Sequence, residues 1–318
     1  MMAAKDGGAV VITGASTGIG RACALRFDSL GFRVFAGVRR SEDGDRLREE
    51  GSKRLIPVTL DVTDQDSIQA AAATVEREVG DRGLSGLVNN AGVALSAPLE
   101  FIPLEEFRRQ LEVNVVGQVA VIQAFMPLLR RGRGRIVNIG SIGGRVALPF
   151  VAPYAASKFA LEAITDSLRR ELMPSGIEVS IVAPGGVSTE IWDRGLRAAD
   201  AIRAKLPPRA EELYGPALDT TRKAAAQIGR DGMPPDRVAQ VVEHALTAAR
   251  PRTRYLVGRD AKLRAAMARW LPDRVFDRLV ARAMGLGRAG PSPREAEGDL
   301  PRDLKITNGL GEDPPRPD

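Results

Sequence analysis

The chemistry of this chain starts from two side chains four residues apart. Tyr154 and Lys158 open an amphipathic helical pattern that runs to Leu172, and on a helix side chains at i and i+4 sit one above the other. The Lys158 ammonium is thereby brought near the Tyr154 phenol, where a cation favours phenolate and lowers the pKa. Ser141 closes a short apolar run upstream of the tyrosine. At a strand end it can donate a hydrogen bond to the oxygen that Tyr154 protonates. Together the three side chains make an acid–base centre. Tyrosine and lysine at this spacing also occur on ordinary helices, so the centre draws its support from what surrounds it.

The surrounding elements alternate between strand and helix. Ala9 to Thr13 is a short buried-type strand, GASTGIG follows, and a helical pattern runs from Arg21 to Leu30. Gly14, Gly18 and Gly20 let the backbone turn tightly and approach a pyrophosphate, whose charge the helix N-terminus favours. A second strand, Phe32 to Val38, ends in Arg39 and Arg40. A dinucleotide fold often places an acid there for the adenosine 2′-hydroxyl. Two guanidinium groups match a 2′-phosphate instead, which predicts NADP(H) in preference to NAD(H).

The third strand, Leu55 to Leu60, leads into Asp61 and Val62, and Thr63 with Asp66 forms a capping-box-like start to a helix reaching Val79. Asp61 stands where a carboxylate can meet the adenine amino group. Gly86 to Asn89 is a fourth strand ending in Asn89-Asn90-Ala91-Gly92, small and amide residues that brace neighbouring strands and let the backbone pass close to a cofactor. Asn114 interrupts the apolar helix from Leu104 to Leu129. Burying it requires hydrogen bonds, so it either bridges helices or holds an ordered water. After the fifth strand and the Tyr154 helix, Ile177 to Ala183 is a sixth, ending in Pro184-Gly185-Gly186-Val187-Ser188-Thr189 at the edge where open α/β sheets bind ligands.

Residues 188 to 236 read as short helical pieces broken by prolines, a substrate lid. Val146, Leu148, Phe150 and Val151 precede Tyr154, and the lid brings Ile191, Trp192, Leu196, Leu213 and Tyr214. These side chains predict a lipophilic substrate, with Leu148, Phe150 and Trp192 beside Ser141 and Tyr154 as its contacts; they could equally pack the lid on the domain. Arg237 to Ala249 is a helix and Thr253 to Val257 a seventh strand. His244, the only histidine, lies far from these motifs and takes no catalytic or metal role; no metal site is expected. The domain thus spans residues 1 to 258. From 259 to 286 a basic amphipathic hairpin turns at Pro272, suited to its own domain, a partner subunit or an anionic membrane surface. Residues 287 to 318 read as a disordered tail.

Composition agrees with one large domain and appendages: 318 residues, 44% hydrophobic and 27% charged. The single cysteine, Cys23, excludes an intrachain disulfide and permits a reducing compartment. The first residues carry no long apolar stretch, against a signal peptide, and no run approaches the eighteen or so apolar residues of a membrane span. The chain therefore reads as cytoplasmic, with peripheral membrane contact open to the hairpin. Net charge is +6, while Arg250 to Arg288 holds ten arginines and one lysine against Asp260, Asp273 and Asp277, or +8. With only 4% aromatic residues to stack on bases, this basic stretch does not read as a nucleic-acid site.

In one order along the chain stand TGASTGIG (Thr13 to Gly20), Asp61, NNAG (Asn89 to Gly92), Asn114, Ser141, YAASK (Tyr154 to Lys158) and Pro184-Gly185. This set resembles the short-chain dehydrogenase/reductase family over roughly 250 residues. EVNVVG at Glu112 to Gly117, the text from Gly140 to Glu162 and the extension beyond residue 257 resemble its 17-beta-hydroxysteroid and retinol dehydrogenase branch.

The resemblance implies a single Rossmann-like, doubly wound parallel α/β sheet of about seven strands with a C-terminal helical extension. It implies Tyr154 as proton donor or acceptor, Lys158 lowering its pKa and holding the nicotinamide ribose, and Ser141 on the substrate oxygen. Asn114 would position a water in a relay behind Lys158. Cofactor contacts would come from Gly14, Ser16, Thr17, Gly18, Ile19 and Gly20, from Arg39, Arg40, Asp61 and Val62, from Asn90, Ala91 and Gly92, and from Pro184, Gly185, Val187 and Thr189. One departure is Thr17, where many NADP-dependent relatives carry a basic residue. The expected activity is interconversion of a lipophilic alcohol and its ketone or aldehyde by a homodimer. A 3-oxoacyl-carrier reductase of the same family and a non-catalytic NADP(H) sensor are the alternatives.

Overall fold

Seven apolar runs become the strands of one parallel sheet in this computed structural model, which describes residues 8–286. They are β1 (Ala9–Ile12), β2 (Arg33–Val38), β3 (Leu55–Thr59), β4 (Gly86–Asn89), β5 (Arg135–Ile139), β6 (Val179–Pro184) and β7 (Arg254–Val257), in the order β3-β2-β1-β4-β5-β6-β7. The helices between them are α1 (Gly18–Ser29), α2 (Ser41–Glu50), α3 (Gln65–Val79), α4 (Leu104–Leu111), α5 (Gly117–Gly132), α6 (Ala152–Leu172), α7 (Ile191–Arg203), α8 (Pro208–Asp231) and α9 (Pro235–Thr247). After β7 come α10 (Arg259–Trp270) and α11 (Asp273–Ala283). The doubly wound α/β architecture expected from the sequence is the one observed.

Successive strand side chains feed two cores. Val10, Ile12, Val34, Ala36, Val137 and Ile139 pack with Cys23 and Phe27 of α1 and with Val238 and Val242 of α9. Val11, Phe35, Leu87 and Ile136 face the other way, onto Ile68 and Val75 of α3 and Val121 and Phe125 of α5. Burying one such side chain stabilises by about 1.5–3 kcal/mol. Because helices cover both faces, the strands read as continuous apolar runs rather than alternating ones. The chain leaves β1 towards β2 and β3 on one side and returns to β4 on the other, so the topological switch lies between β1 and β4, where such sheets bind ligands at their carboxyl ends.

Several local expectations change. Asp64, not Thr63, caps α3 by accepting from the Asp66 and Ser67 amides, while the Thr63 hydroxyl turns back to the Asp61 carboxylate. The prolines of residues 188–236 do not break helices. Pro208 and Pro235 begin α8 and α9, where a missing N–H costs nothing, so this region holds a 13-residue and a 24-residue helix rather than short pieces.

Leu104 to Gly132 is one continuous helical rod, whose middle, Glu112–Val116, is a π-helical turn carrying Asn114. By length and composition this rod could cross a membrane, contrary to the expectation that nothing would. Its apolar face, with Val121, Ile122, Phe125 and Leu129, is instead buried in the second core. The tail expected over residues 287–318 lies outside the described residues.

Candidate active site

The start of α6 and the end of β5 bring the acid–base residues into one corner at the carboxyl edge of the sheet. Lys158 is 4% exposed, and its ammonium donates to the Ile139 carbonyl at 2.8 Å while standing 5.8 Å from the centroid of the Tyr154 ring. The backbone that ends β5 therefore holds the lysine beside the tyrosine. Ser141 caps the short turn after β5, its oxygen accepting from the Gly143 amide at 3.0 Å and its O–H remaining to donate. Gly143 lies against both partners: a Cβ there would sit 3.2 Å from Tyr154 Cε1 and 3.3 Å from Ser141 Oγ.

Burial pushes the Tyr154 hydroxyl above its usual range, and its hydrogen bond with Ser141 lowers it in part. Burial also brings the Lys158 ammonium down to about 8. The lowering of Tyr154 by Lys158 expected from their spacing is thus absent in the protein alone. Desolvation of the phenolate outweighs an ammonium whose bond goes to Ile139.

Asn114 is fully buried and bridges three elements. Its oxygen accepts from the Val93 amide at 2.9 Å, and its amide donates to the Val93 carbonyl and to Ser157 Oγ, both at 3.0 Å. Ser157 in turn donates to the Tyr154 carbonyl at 2.7 Å. The carboxamide bridges these elements, and both of its N–H donors are spent on protein. Ser157 received no role from the sequence. Its place three residues after Tyr154, on the buried side of a catalytic-type helix, was the signal.

The glycine-rich turn after β1 is built for a backbone-bound anion. Gly14 and Gly18 have φ of +63° and +55°, which favour glycine, and a Cβ on Gly20 would lie 2.2 Å from the Gly14 carbonyl oxygen. Thr17 is the N-cap of α1 but makes no side-chain bond to its first amides, leaving Gly18, Ile19 and Gly20 at a helix start suited to a phosphate. Asn90 braces the turn: its amide side chain donates to the Thr13 and Gly14 carbonyls at 2.9 and 3.1 Å. The Thr13 hydroxyl accepts from the Asn90 and Ala91 amides, both at 2.9 Å, so the β1 and β4 exits are stitched together. Thr189 lies over Gly18, its methyl 3.0 Å from where a Cβ would stand. The residues present therefore fit a dinucleotide. A cavity of about 610 Å³ adjoins the turn, lined by Ser16, Thr17, Gly18, Ser188 and Thr189, and does not reach Ser141, Tyr154 or Lys158.

Arg39 and Arg40 are exposed at the end of β2, with no carboxylate within ion-pairing distance among the described residues. Asp61 is half-buried, and its Oδ1 accepts from the Thr63 amide and hydroxyl at 2.9 and 2.8 Å. Val62 is a core residue, so any cofactor contact falls to its backbone. Gly92 is exposed beside Asn114. Nothing in the sequence signalled that Arg194 meets the glycine-rich turn, where its guanidinium donates to the Thr17 hydroxyl and so brings a cation to the position that lacked one.

At the β6 exit, Pro184 and Val187 are buried and Gly185 is half-buried. Trp192 is half-buried, its indole N–H donating to the Val187 carbonyl at 2.7 Å. The two substrate contacts expected upstream of Tyr154 each pack beside helices. Leu148 packs, as do Ala265 and Phe276, against the cluster of Ile142, Val146 and Ala261. Phe150 has a φ of +66° and is buried with Ala217, Leu218 and Tyr214. Both help fasten helices to the domain, Phe150 buried and Leu148 half-buried.

Residues 8–198 match the family model described as short chain dehydrogenase. Retinol dehydrogenase 5 of Mus musculus is 43% identical over 277 residues, covering 85% of this chain and 87% of that protein. The 17-beta-hydroxysteroid dehydrogenase type 6 of Homo sapiens is 39% identical over 295 residues, covering 90% of each. A short chain dehydrogenase from Burkholderia cenocepacia J2315, solved in complex with NADP, superposes with a TM-score of 0.66 at 28% identity, covering 87% of this chain and 98% of that one. The turn after β1, the corner at β5 and these likenesses agree: the chain belongs to the short-chain dehydrogenase/reductase family, in the branch resembling retinol and 17-beta-hydroxysteroid dehydrogenases, and is an NAD(P)-dependent CH–OH oxidoreductase.

Proposed function

We propose that this enzyme interconverts a lipophilic alcohol and its ketone or aldehyde with NADP(H), with Tyr154 exchanging the proton on the substrate oxygen. The observation that carries this reading is the corner at β5, where Tyr154, Ser141 and a buried Lys158 converge. A bound nicotinamide cofactor supplies or accepts the hydride. The Ser141 O–H donates to the substrate oxygen, and Tyr154 gives it a proton in reduction and takes one in oxidation. A tyrosine whose pKa is not lowered stays protonated at neutral pH, so it holds a proton to give and is rarely the phenolate that could take one. Oxidation therefore needs cationic help, from Lys158 and from the positive charge of an oxidised cofactor. Asn114 acts through Ser157, holding the backbone of Tyr154.

Arg39 and Arg40, free of ion pairs among the described residues, favour the 2′-phosphate of NADP(H). The relatives are named for retinol and for 17-beta-hydroxysteroids, both large apolar alcohols. Residues 188–236 serve as the lid, with Trp192 at its base against Val187. We further place a homodimer contact on the rod from Leu104 to Gly132 and on α6, where Leu104, Val116 and Phe159 are exposed, and a peripheral membrane contact on α10 and α11.

The test is NADPH oxidation against retinal, ketosteroids, aliphatic aldehydes and acyl thioesters. Turnover is expected to rise with apolar size, and Tyr154→Phe should keep less than about a tenth of it while still binding cofactor. Equal efficiency on small polar and large apolar carbonyls would refute the substrate class. Thioester preference would move the enzyme to the acyl-carrier reductases.

A further inference from the structure

We propose that Asp260, in the first turn of α10, is the positioning residue that holds the backbone leaving β6 in register at the cofactor site. This rests on the reading above, in which Pro184, Gly185, Val187 and Thr189 touch the cofactor. The Gly186 amide donates to Asp260 Oδ2 at 2.9 Å, the only hydrogen bond that a side chain makes to Gly185 or Gly186 among the described residues. The other ties of Gly185 and Gly186 are backbone ones, from the Gly185 amide to the Val257 carbonyl at 2.9 Å and from the Met233 amide to the Gly186 carbonyl at 3.0 Å.

Steric fit points the same way. A Cβ on Gly185 would lie 2.1 Å from Asp260 Oδ2, and one on Gly258, whose φ is +104°, would lie 2.5 Å from Oδ1. The carboxylate fills a space that exists only because both neighbours are glycine.

An acid in the first turn of a helix is ordinary, since it complements the helix dipole. Asp260 does more, because its carboxylate makes no bond to the amides of its own helix and reaches the exit of a neighbouring strand. The C-terminal extension is thereby tied into the reaction site through one side chain. Misplacing a reacting group by about 1 Å costs on the order of a hundredfold in rate. Loss of this strut should therefore appear in the hydride step rather than in cofactor affinity.

The experiment compares wild type, Asp260→Ala and Asp260→Asn on a carbonyl that the wild type reduces, with thermal melting of each. Asp260→Ala is expected to lower kcat by about tenfold or more, with a primary deuterium isotope effect from 4-deuterated NADPH expressed on kcat. Its dissociation constant for NADPH should change by less than about threefold. Asp260→Asn keeps an oxygen acceptor for the Gly186 amide and should recover kcat to within about threefold of wild type. If Asp260→Ala melts below the assay temperature, Asp260→Ser, too short to reach Gly186, takes its place with the same expected loss. Equal melting losses in Ala and Asn variants with kcat unchanged would mean a helix-dipole role and overturn the inference. Wild-type protein without turnover would overturn the parent reading and this one with it.

Discussion

Lys158 carries a charge that the fold holds out of water, and the consequence can be followed with pH. Its ammonium is displaced by burial from the usual 10.5 to about 8. Below pH 8 the lysine is protonated in both folded and unfolded chains. Between about 8 and 10.5 the unfolded chain binds a proton that the folded chain has released, so on this group's account stability rises with pH across that window. At neutral pH the charge is retained, and is available to support phenolate at Tyr154. A carbon-13 titration of the lysine ε-carbons in the cofactor-free enzyme is expected to show one midpoint near pH 8, lost in Lys158→Met. Only midpoints near the ordinary value of about 10.4 would show a hydrated ammonium instead. Arg39 makes a separate prediction. Arg39→Asp removes a phosphate partner and supplies a ribose acceptor, and one charge-assisted bond is worth about 1.5–3 kcal/mol, or roughly ten- to a hundredfold in NADP over NAD preference. Arg40 can recover part of it, and a wild type that already prefers NAD would sink the assignment.

Among the elements, the helical pair α10 and α11 presents large apolar side chains and cations to solvent together. Leu263 is 62% and Trp270 76% exposed, with Val275 and Leu279 also exposed. Lys262, Arg269, Arg274 and Arg278 are exposed on the same pair. The inner side is accounted for: Ala261, Ala265 and Phe276 pack with Ile142, Val146 and Leu148 next to Ser141. An outer face of tryptophan, leucine and cations suits the boundary of an anionic bilayer. Wild-type enzyme is expected to sediment with phosphatidylserine vesicles at low ionic strength, and Trp270→Ser to weaken that by about tenfold or more, from the loss of one buried aromatic. Failure of the wild type to bind such vesicles would remove the membrane contact and leave this face to protein packing.

At the scale of the whole molecule, the rod from Leu104 to Gly132 and α6 leave Leu104, Val116 and Phe159 in water at 62%, 50% and 44% exposure while α5 packs inward. A homodimer closing over them is expected, with Phe159→Arg yielding monomer; light scattering of the wild type giving a monomeric mass at micromolar concentration would contradict it. Sequence alone determined the alternation of seven strands with helices, because buried parallel strands are continuous apolar runs and helices repeat their apolar residues at a different period. It also determined the residue types of the acid–base centre, since Tyr154 and Lys158 are neighbours through helix geometry alone. Tertiary structure decided what depends on partners distant along the chain. Leu148 and Phe150 gained their packing partners from α8, α10 and α11. Asn114 proved to be a bridge because Val93 and Ser157 meet it at a π-turn. Asp260 reached the β6 exit from 74 residues further along the chain. Side chains longer than their local turn find such partners only in three dimensions, and burial then sets the charge of Lys158 and the acidity of Tyr154 by desolvation, which no spacing in the sequence encodes.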